Sequence, residues 1–342
     1  MYVPLHVHSP FSFLDGAASL RDLMERAAHC NCPAIALTDH NNLCGAVAFR
    51  REAERWGLKP LLGCEIDLEG GHHLVLLAMD EEGYANLCRL LTRAHLAHPR
   101  GEPCIYLQDL EEYAEGVICL SGCRRGQIPQ LLLAGRQAEA LRVAQRLAAV
   151  FRHRFYLELQ PDLLPGTRLL LRQLAHLGEV GKVPLVATNN VHYARKADFA
   201  VHDLLTCVRT LTTVSQIHPE RRLNAENYLK TAAEMRRLLH AYPAACDNTL
   251  RIAEQCQPAL ELKSRHYPRF TVPQGYTARS FLRELVYAGA RRKYGRLSRR
   301  LRERLEYELD LIAQLELEDY FLLVWDITRY ARQHNIRYAG RG

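Results

Sequence analysis

The chain has 342 residues, 48% of them hydrophobic and 24% charged, and a net charge of +7. That length holds one large domain or two ordinary ones, with the composition of a soluble globular protein. No apolar run approaches the 18 residues of a membrane span, and MYVPLHVHS lacks the basic and apolar regions of a secretion signal. The eleven cysteines are scattered without a paired framework, which predicts free thiols and a cytoplasmic protein. The charge is concentrated: RRKYGRLSRRLRER (291–304) sets eight Arg or Lys against one Glu, as much net charge as the whole chain. Such a block suits a polyanion such as nucleic acid, and equally a solvated helix face.

In chain order, helical patterns over 19–30, 45–57, 84–98, 138–151 and 167–180 alternate with strand-like runs at 33–40, 74–80, 116–122, 155–160 and 183–190. Alternation of this kind predicts βαβ units and a mainly parallel sheet. Six or seven units predict a closed or nearly closed barrel. After residue 200 only helical patterns continue. SRHYPRFTVPQGYT (264–277) reads as a linker, and an amphipathic helical stretch follows it. LELEDYFLLVWDITRY within that stretch has an apolar face with no evident partner.

The opening LHVHSPFSFLDG holds His6, His8 and Asp15. Alternate residues of a strand share a face, so His6 and His8 are expected on one side, with Leu5 and Val7 on the other. Asp39-His40, Glu65, His72-His73, Cys123 and His192 each stand at or near a strand end. In a parallel barrel those ends converge on one face, where active sites form. Imidazole and carboxylate donors together suit Zn, Mn or Fe, and clustered ions suit phosphoester hydrolysis. Asp39 is expected in a supporting role and His72 to point away from His73. His29, His95, His98, His153, His176, His202, His218, His240, His266 and His334 are expected to be ordinary surface or partly buried residues.

LHVHSPFSFLDGA, ALTDHNNLCGAVAF, GCEI, HHLVLLAMDEEGYANLCRLLTRAH, LSGCRRGQIP and VATNNVHY resemble the successive motifs of the polymerase and histidinol phosphatase (PHP) domain. Together with NAENYLKTAAEM and YFLLVWDITRYAR they are similar to the N-terminal region of bacterial C-family DNA polymerases, the error-prone branch of the polymerase III alpha subunits in particular. The resemblance implies a distorted (β/α)7 TIM-like barrel over 1–265 and the truncated start of a polymerase palm over 266–342. It implies metal positions at His6, His8, Asp15, His40, Glu65, His73, Cys123, Asn190 and His192, for up to three Zn2+ or Mn2+ ions. At Asn190 the family has an aspartate, so weaker occupancy at one position is expected. Arg291, Arg292, Lys293, Arg299, Arg300 and Arg341 are candidate contacts to nucleic acid or phosphate.

The implied function is that of an error-prone DNA-directed DNA polymerase, acting in replication past damage and in DNA repair. Mg2+ would serve polymerisation in the intact parent, and the partners would be DNA and other polymerase or translesion subunits, with no membrane. This segment lacks the polymerase carboxylates, so its own expected activity is a metal-dependent phosphoesterase or 3′–5′ exonuclease. The alternatives are a non-catalytic, metal-stabilised scaffold for the polymerase and a free-standing phosphoesterase of histidinol-phosphatase type.

Overall fold

A computed structural model describes residues 1–260, 262 and 267–340. They form two compact units divided between Leu262 and Lys263.

The first unit is built on strands β1 (Ala34–Leu37), β2 (Lys59–Leu68), β3 (His72–Ala78), β4 (Val117–Leu120), β5 (Phe155–Leu159) and β6 (Leu185–Ala187), adjacent in chain order in one curled sheet. Around it lie α1 (Leu20–His29), α2 (Ala46–Arg55), α3 (Glu81–Ala97), α4 (Leu107–Glu112), α5 (Gln127–Leu133), α6 (Gln137–Phe151) and α7 (Thr167–Gly181). Then come α8 (Phe199–Arg209), α9 (Ala232–Leu238) and α10 (Pro243–Gln255). Helix starts follow local chemistry: the Ser19 hydroxyl accepts from Asp22 N–H and the Asp80 carboxylate from Gly83 N–H, each satisfying an orphan donor of the first turn. All eleven cysteines are free.

The sheet departs from the expected pattern at β2 and β3. β2 is a ten-residue strand in a sequence, KPLLGCEIDL, whose near-continuous burial hides any alternation. It turns directly into β3 without a helix, and β3 runs antiparallel to both β2 and β4. The remaining pairs are parallel.

The extended N-terminal segment completes the barrel. On one side Ala36 N–H donates to Pro4 O (2.9 Å) and Thr38 N–H to Val7 O (2.8 Å). On the other, His8 N–H donates to Val191 O (2.8 Å) and Val191 N–H to His6 O (2.9 Å). Between the first two bonds, three residue steps oppose two, which is a β-bulge. The bulge reverses the side-chain phase. Val3 and Leu5 join the barrel interior with Ala36, Leu61, Val75, Ile118 and Val186, whereas Val7 packs outward with Leu23 and Met24 of α1 and Phe49 of α2. Leu5 and Val7 therefore do not share a face, contrary to simple alternation. The extra residue is what turns both His6 and His8 inward.

The second unit contains α11 (Ala278–Tyr294), α12 (Arg299–Gln314) and α13 (Glu318–Gln333). Leu282, Leu309 and Leu322 form its small core. Phe270 and Val272 pack on that core, and Phe270 N–H donates to the Asp319 carboxylate (2.9 Å). The described part of the expected linker thus belongs to this unit; residues 264–266 lie outside the described residues. Tyr320, Phe321, Val324, Ile327 and Tyr330 of α13 are exposed, as the unpartnered apolar face predicted.

Candidate metal centre at the barrel mouth

His6 and His8 face the barrel mouth with their ring protons already committed. His6 Nδ1–H donates to Glu158 Oε1 (2.7 Å), and His8 Nδ1–H to Ser12 Oγ (2.9 Å), whose own proton goes to Asp39. The two Nε2 atoms then face each other at 3.2 Å, with Glu65 Oε1 3.2 Å from His6 and Oε2 3.6 Å from His8; without metal, the proton that His6 carries on Nε2 lies among these acceptors. Acceptors converging in this way need a cation or a proton between them.

A second group stands beside the first. Glu65 Oε2 lies 3.1 Å from His40 Nδ1, and Glu65 Oε1 lies 3.0 Å from His73 Nδ1. Cys123 Sγ is 3.5 Å from the same His73 nitrogen. The donor atoms of His6, His8 and Glu65, and those of His40, Glu65 and His73, fall within 4.8 Å of one another in each trio, the spread of an ion's coordination shell. Glu65 is common to both. Glu65 Oε1, Asp67 Oδ1, His73 Nε2, Glu158 Oε2 and Asn190 Oδ1 are buried around this mouth without hydrogen-bond partners, a concentration that a metal centre explains.

The chain delivers these groups by different means. Glu65 and His73 lie on neighbouring antiparallel strands, so His73, at the start of β3, reaches the mouth only because that strand is reversed. Cys123 follows a turn at Gly122 (φ +83°), where a Cβ would stand 2.2 Å from His73 O; only glycine fits. Asp39 plays the supporting part expected of it, accepting from Ser9 N–H (2.7 Å), Ser9 Oγ (2.7 Å), Ser12 N–H (3.1 Å) and Ser12 Oγ (2.7 Å). Asp39→Ala should lower stability by about 3 kcal/mol, since charge-assisted hydrogen bonds contribute about 1.5–3 kcal/mol each and the freed groups regain only some water. Urea denaturation checks this; a loss below 1 kcal/mol (roughly the scale of one ordinary hydrogen bond) would contradict it.

Asp15, Asn190 and His192 sit at a separate corner. His192 Nε2 is 3.1 Å from Asp15 Oδ2, and its Nδ1–H donates to Asn190 O (2.8 Å). The rings of His8 and His192 are 4.4 Å apart, so the corner adjoins the first trio.

Sequence reading missed four groups here. Asp67 lies 3.0 Å from His40 Nε2 and 3.2 Å from His73 Nε2; its spacing from Glu65 on one strand face follows the alternation that singled out His6 and His8. Glu158 orients His6. His202 is buried, not an ordinary surface residue: its ring edge meets His192 and its Nδ1–H donates to Asp15 O (2.8 Å). Arg222 lies in an irregular segment with no periodic signal and reaches His192 Nε2 at 3.0 Å. His95, also passed over, bonds Asn41 O (2.8 Å) at the rim. His72 stays outside the mouth, against α5 and α6.

Electrostatics follow the same division. Burial opposes charge on His6, but the Glu158 and Glu65 carboxylates overcome it and raise its pKa to about 10. Burial likewise opposes charge on His40, and Asp67 and Glu65 raise it to about 10. Burial, His192 and His6 push His8 well below the usual imidazole range. Burial and Arg222 lower His192. Burial, with Glu65 nearby, pushes the Cys123 thiol well up, so its thiolate requires a cation beside it.

The mouth opens into a cavity of about 910 Å3 whose lining includes Arg124, Arg125, Arg209, Arg221 and Arg222. In the second unit Arg291, Arg292, Lys293, Arg299 and Arg300 are exposed on α11 and α12, and Arg299 pairs with Glu303 (2.8 Å). Arg341 lies outside the described residues. No helix among the described residues is long and apolar enough to cross a membrane.

Residues 4–162 match the family profile of the PHP domain. Residues 280–342 match that of the bacterial DNA polymerase III alpha NTPase domain. The error-prone DNA polymerase of Symbiobacterium thermophilum is 52% identical over 100% of this chain and 33% of its own length. The DNA polymerase III subunit alpha of Borreliella burgdorferi is 36% identical over 100% of this chain and 31% of its own length. The chain thus carries a stretch matching the PHP domain and another matching the bacterial DNA polymerase III alpha NTPase domain, and over its whole length it is similar to bacterial error-prone DNA polymerases and DNA polymerase III alpha subunits. It spans about a third of the length of the curated relatives it matches. Among solved structures, an amidohydrolase from Chromobacterium violaceum aligns at 18% identity and TM-score 0.39, covering 56% of this chain and 88% of its own. A putative metal-dependent phosphoesterase from Bifidobacterium adolescentis aligns at 18% identity and TM-score 0.31, covering 70% and 95%.

Proposed function

We propose that the barrel mouth is a metal-dependent phosphoesterase centre that removes nucleotides from the 3′ end of DNA. The carrying observation is the pair of His/carboxylate trios sharing Glu65. His6, His8 and Glu65 would hold one ion, and His40, Glu65, His73 and Cys123 another, with Asp67 beside the second. Mixed nitrogen, oxygen and sulfur donors suit Zn2+, and Mn2+ suits the oxygen-richer part. Bound ions there would polarise a phosphodiester and supply hydroxide near neutral pH. The chain's own groups do the rest: Glu158 and Ser12 fix the imidazole tautomers, and the arginines of the cavity wall attract and orient a phosphate backbone. In the parent protein this activity would accompany Mg2+-dependent DNA polymerisation during repair and replication past damage. DNA would lie against Arg291, Arg292, Lys293, Arg299 and Arg300, and other polymerase subunits would join it in the cytoplasm.

A second reading, a metal-stabilised scaffold without turnover, is favoured by Asn190, which brings no charge to its corner. Assays on the Zn2+- or Mn2+-loaded chain separate the readings, using single-stranded DNA, primer–template and a small phosphomonoester. Mononucleotide release is expected. Bound metal without turnover would favour the scaffold, and turnover of the phosphomonoester alone a free-standing phosphatase.

Metal binding should also release protons. His6 and His40, with pKa values of about 10 in the metal-free protein, hold protons at pH 7 that an ion must displace. Affinity should therefore rise with pH from 6 to 9. Calorimetry in buffers of different ionisation enthalpy should report about three protons released per chain at pH 7, one each from His6, His40 and the Cys123 thiol; pH-independent affinity would contradict this.

A further inference from the structure

The corner formed by Asp15, Asn190 and His192 looks like a cation site. His192 Nδ1–H is committed to Asn190 O, leaving Nε2 as a lone pair 3.1 Å from Asp15 Oδ2. Asn190 Oδ1 is buried without a partner. The corner already contains a cation belonging to the chain. Arg222 Nη2 lies 3.0 Å from His192 Nε2. Its Nε donates to His202 Nε2 (3.1 Å) and its Nη1 to Asn227 Oδ1 (3.2 Å). His202 accepts because its Nδ1–H is donated to Asp15 O (2.8 Å). A second guanidinium, Arg209, stands 3.6 Å from Asp15 Oδ1.

The rest of the mouth is different. Among the described residues Glu65, Asp67 and Glu158 form no ion pair with lysine or arginine; their charged neighbours are histidines. The positive charge beside these carboxylates is thus carried by imidazoles, whose protons a metal ion can displace, while the corner with Asn190 has a permanent one. A guanidinium stays protonated at any working pH, so a divalent ion at this corner would meet permanent repulsion.

We infer that Arg222 takes the place of a third metal ion, so that the mouth is completed by two ions and one guanidinium. This rests on the metal-binding reading above. Fixed by His192, His202 and Asn227, Arg222 lines the cavity, where its N–H groups can hold a phosphate oxygen but cannot ionise a water. It is a positioning residue.

Metal content tests this without reference to turnover. The chain would be loaded with Mn2+ or Zn2+, freed of excess ion and analysed for metal per chain. Two ions are expected in the wild type, and still two in Asn190→Asp, because Arg222 remains. Three are expected in Asn190→Asp/Arg222→Met, and two again in Asn190→Asp/Arg222→Lys. Three ions in the wild type or in Asn190→Asp alone would overturn the role of Arg222 while leaving the metal centre standing. Two ions in a folded Asn190→Asp/Arg222→Met variant would do the same. No bound ion in the wild type would remove the metal centre and this inference together. If the double variant does not fold, the Asn190→Asp count decides.

Discussion

On the proposed function, Glu65→Gln is expected to abolish loading of both ion positions and to reduce nuclease activity to that of the metal-free protein. Among the described residues Glu65 is the only carboxylate common to both trios, 3.0 Å from His73, 3.1 Å from His40 and 3.2 Å from His6. The amide would remove the shared negative charge and turn N–H donors toward imidazole lone pairs. Changes one sphere further out commonly cost about 10–100-fold in metal affinity, so loss of the shared ligand should cost more than about 100-fold. The direct measurement is metal per chain after gel filtration, with circular dichroism to show that the barrel is retained. A folded Glu65→Gln protein that still carries two ions would contradict the centre as drawn. Asp67→Asn is the useful comparison, with the position near His40 and His73 weakened and that at His6 and His8 kept.

Removing metal from the wild type should destabilise the first unit and leave the second unchanged. At ion concentrations near 100 times the dissociation constant, each site adds about 2.7 kcal/mol to the folded state. Two sites add about 5 kcal/mol, and a domain of this size responds by about 2–4 °C per kcal/mol. Chelation should thus lower the melting temperature of the first unit by about 10–20 °C. Scanning calorimetry should show the larger transition moving and the helical one staying. A larger transition that does not respond to chelation would argue that no ion is held by the folded barrel.

Much of this is legible in the amino-acid sequence, for identifiable reasons. Strands and helices with clean periodicity, such as β1, α3 and α7, lie where the pattern placed them. β2 did not read as a strand because both its faces are buried, leaving no alternation to see. The reversal of β3 was also invisible: a glycine pair and a strand-like run do not state direction, and alternating helices elsewhere suggested parallel pairing. His6 and His8 were recognisable as a pair, but for an incomplete reason, because the bulge between Pro4 and Val7 sets their direction. His202 and Arg222 carry no local signal at all. Their roles arise from α8, which carries His202, and from the irregular segment with Arg222 folding back over the mouth, which is long-range information.

The closure of the barrel has a consequence for how the protein is made. The N-terminal segment pairs with β1 on one side, but its other neighbour is Val191. During synthesis at about 5–20 residues per second, the segment carrying His6 and His8 waits roughly ten to forty seconds for that neighbour to leave the ribosome. Until then a barrel edge is open and Glu158, which orients His6, has not been made for most of the interval. Chaperones meeting the nascent chain would encounter an unsealed edge strand bearing two imidazoles, and on the proposed function metal acquisition would be a late event, following synthesis of the residues that seal the ring.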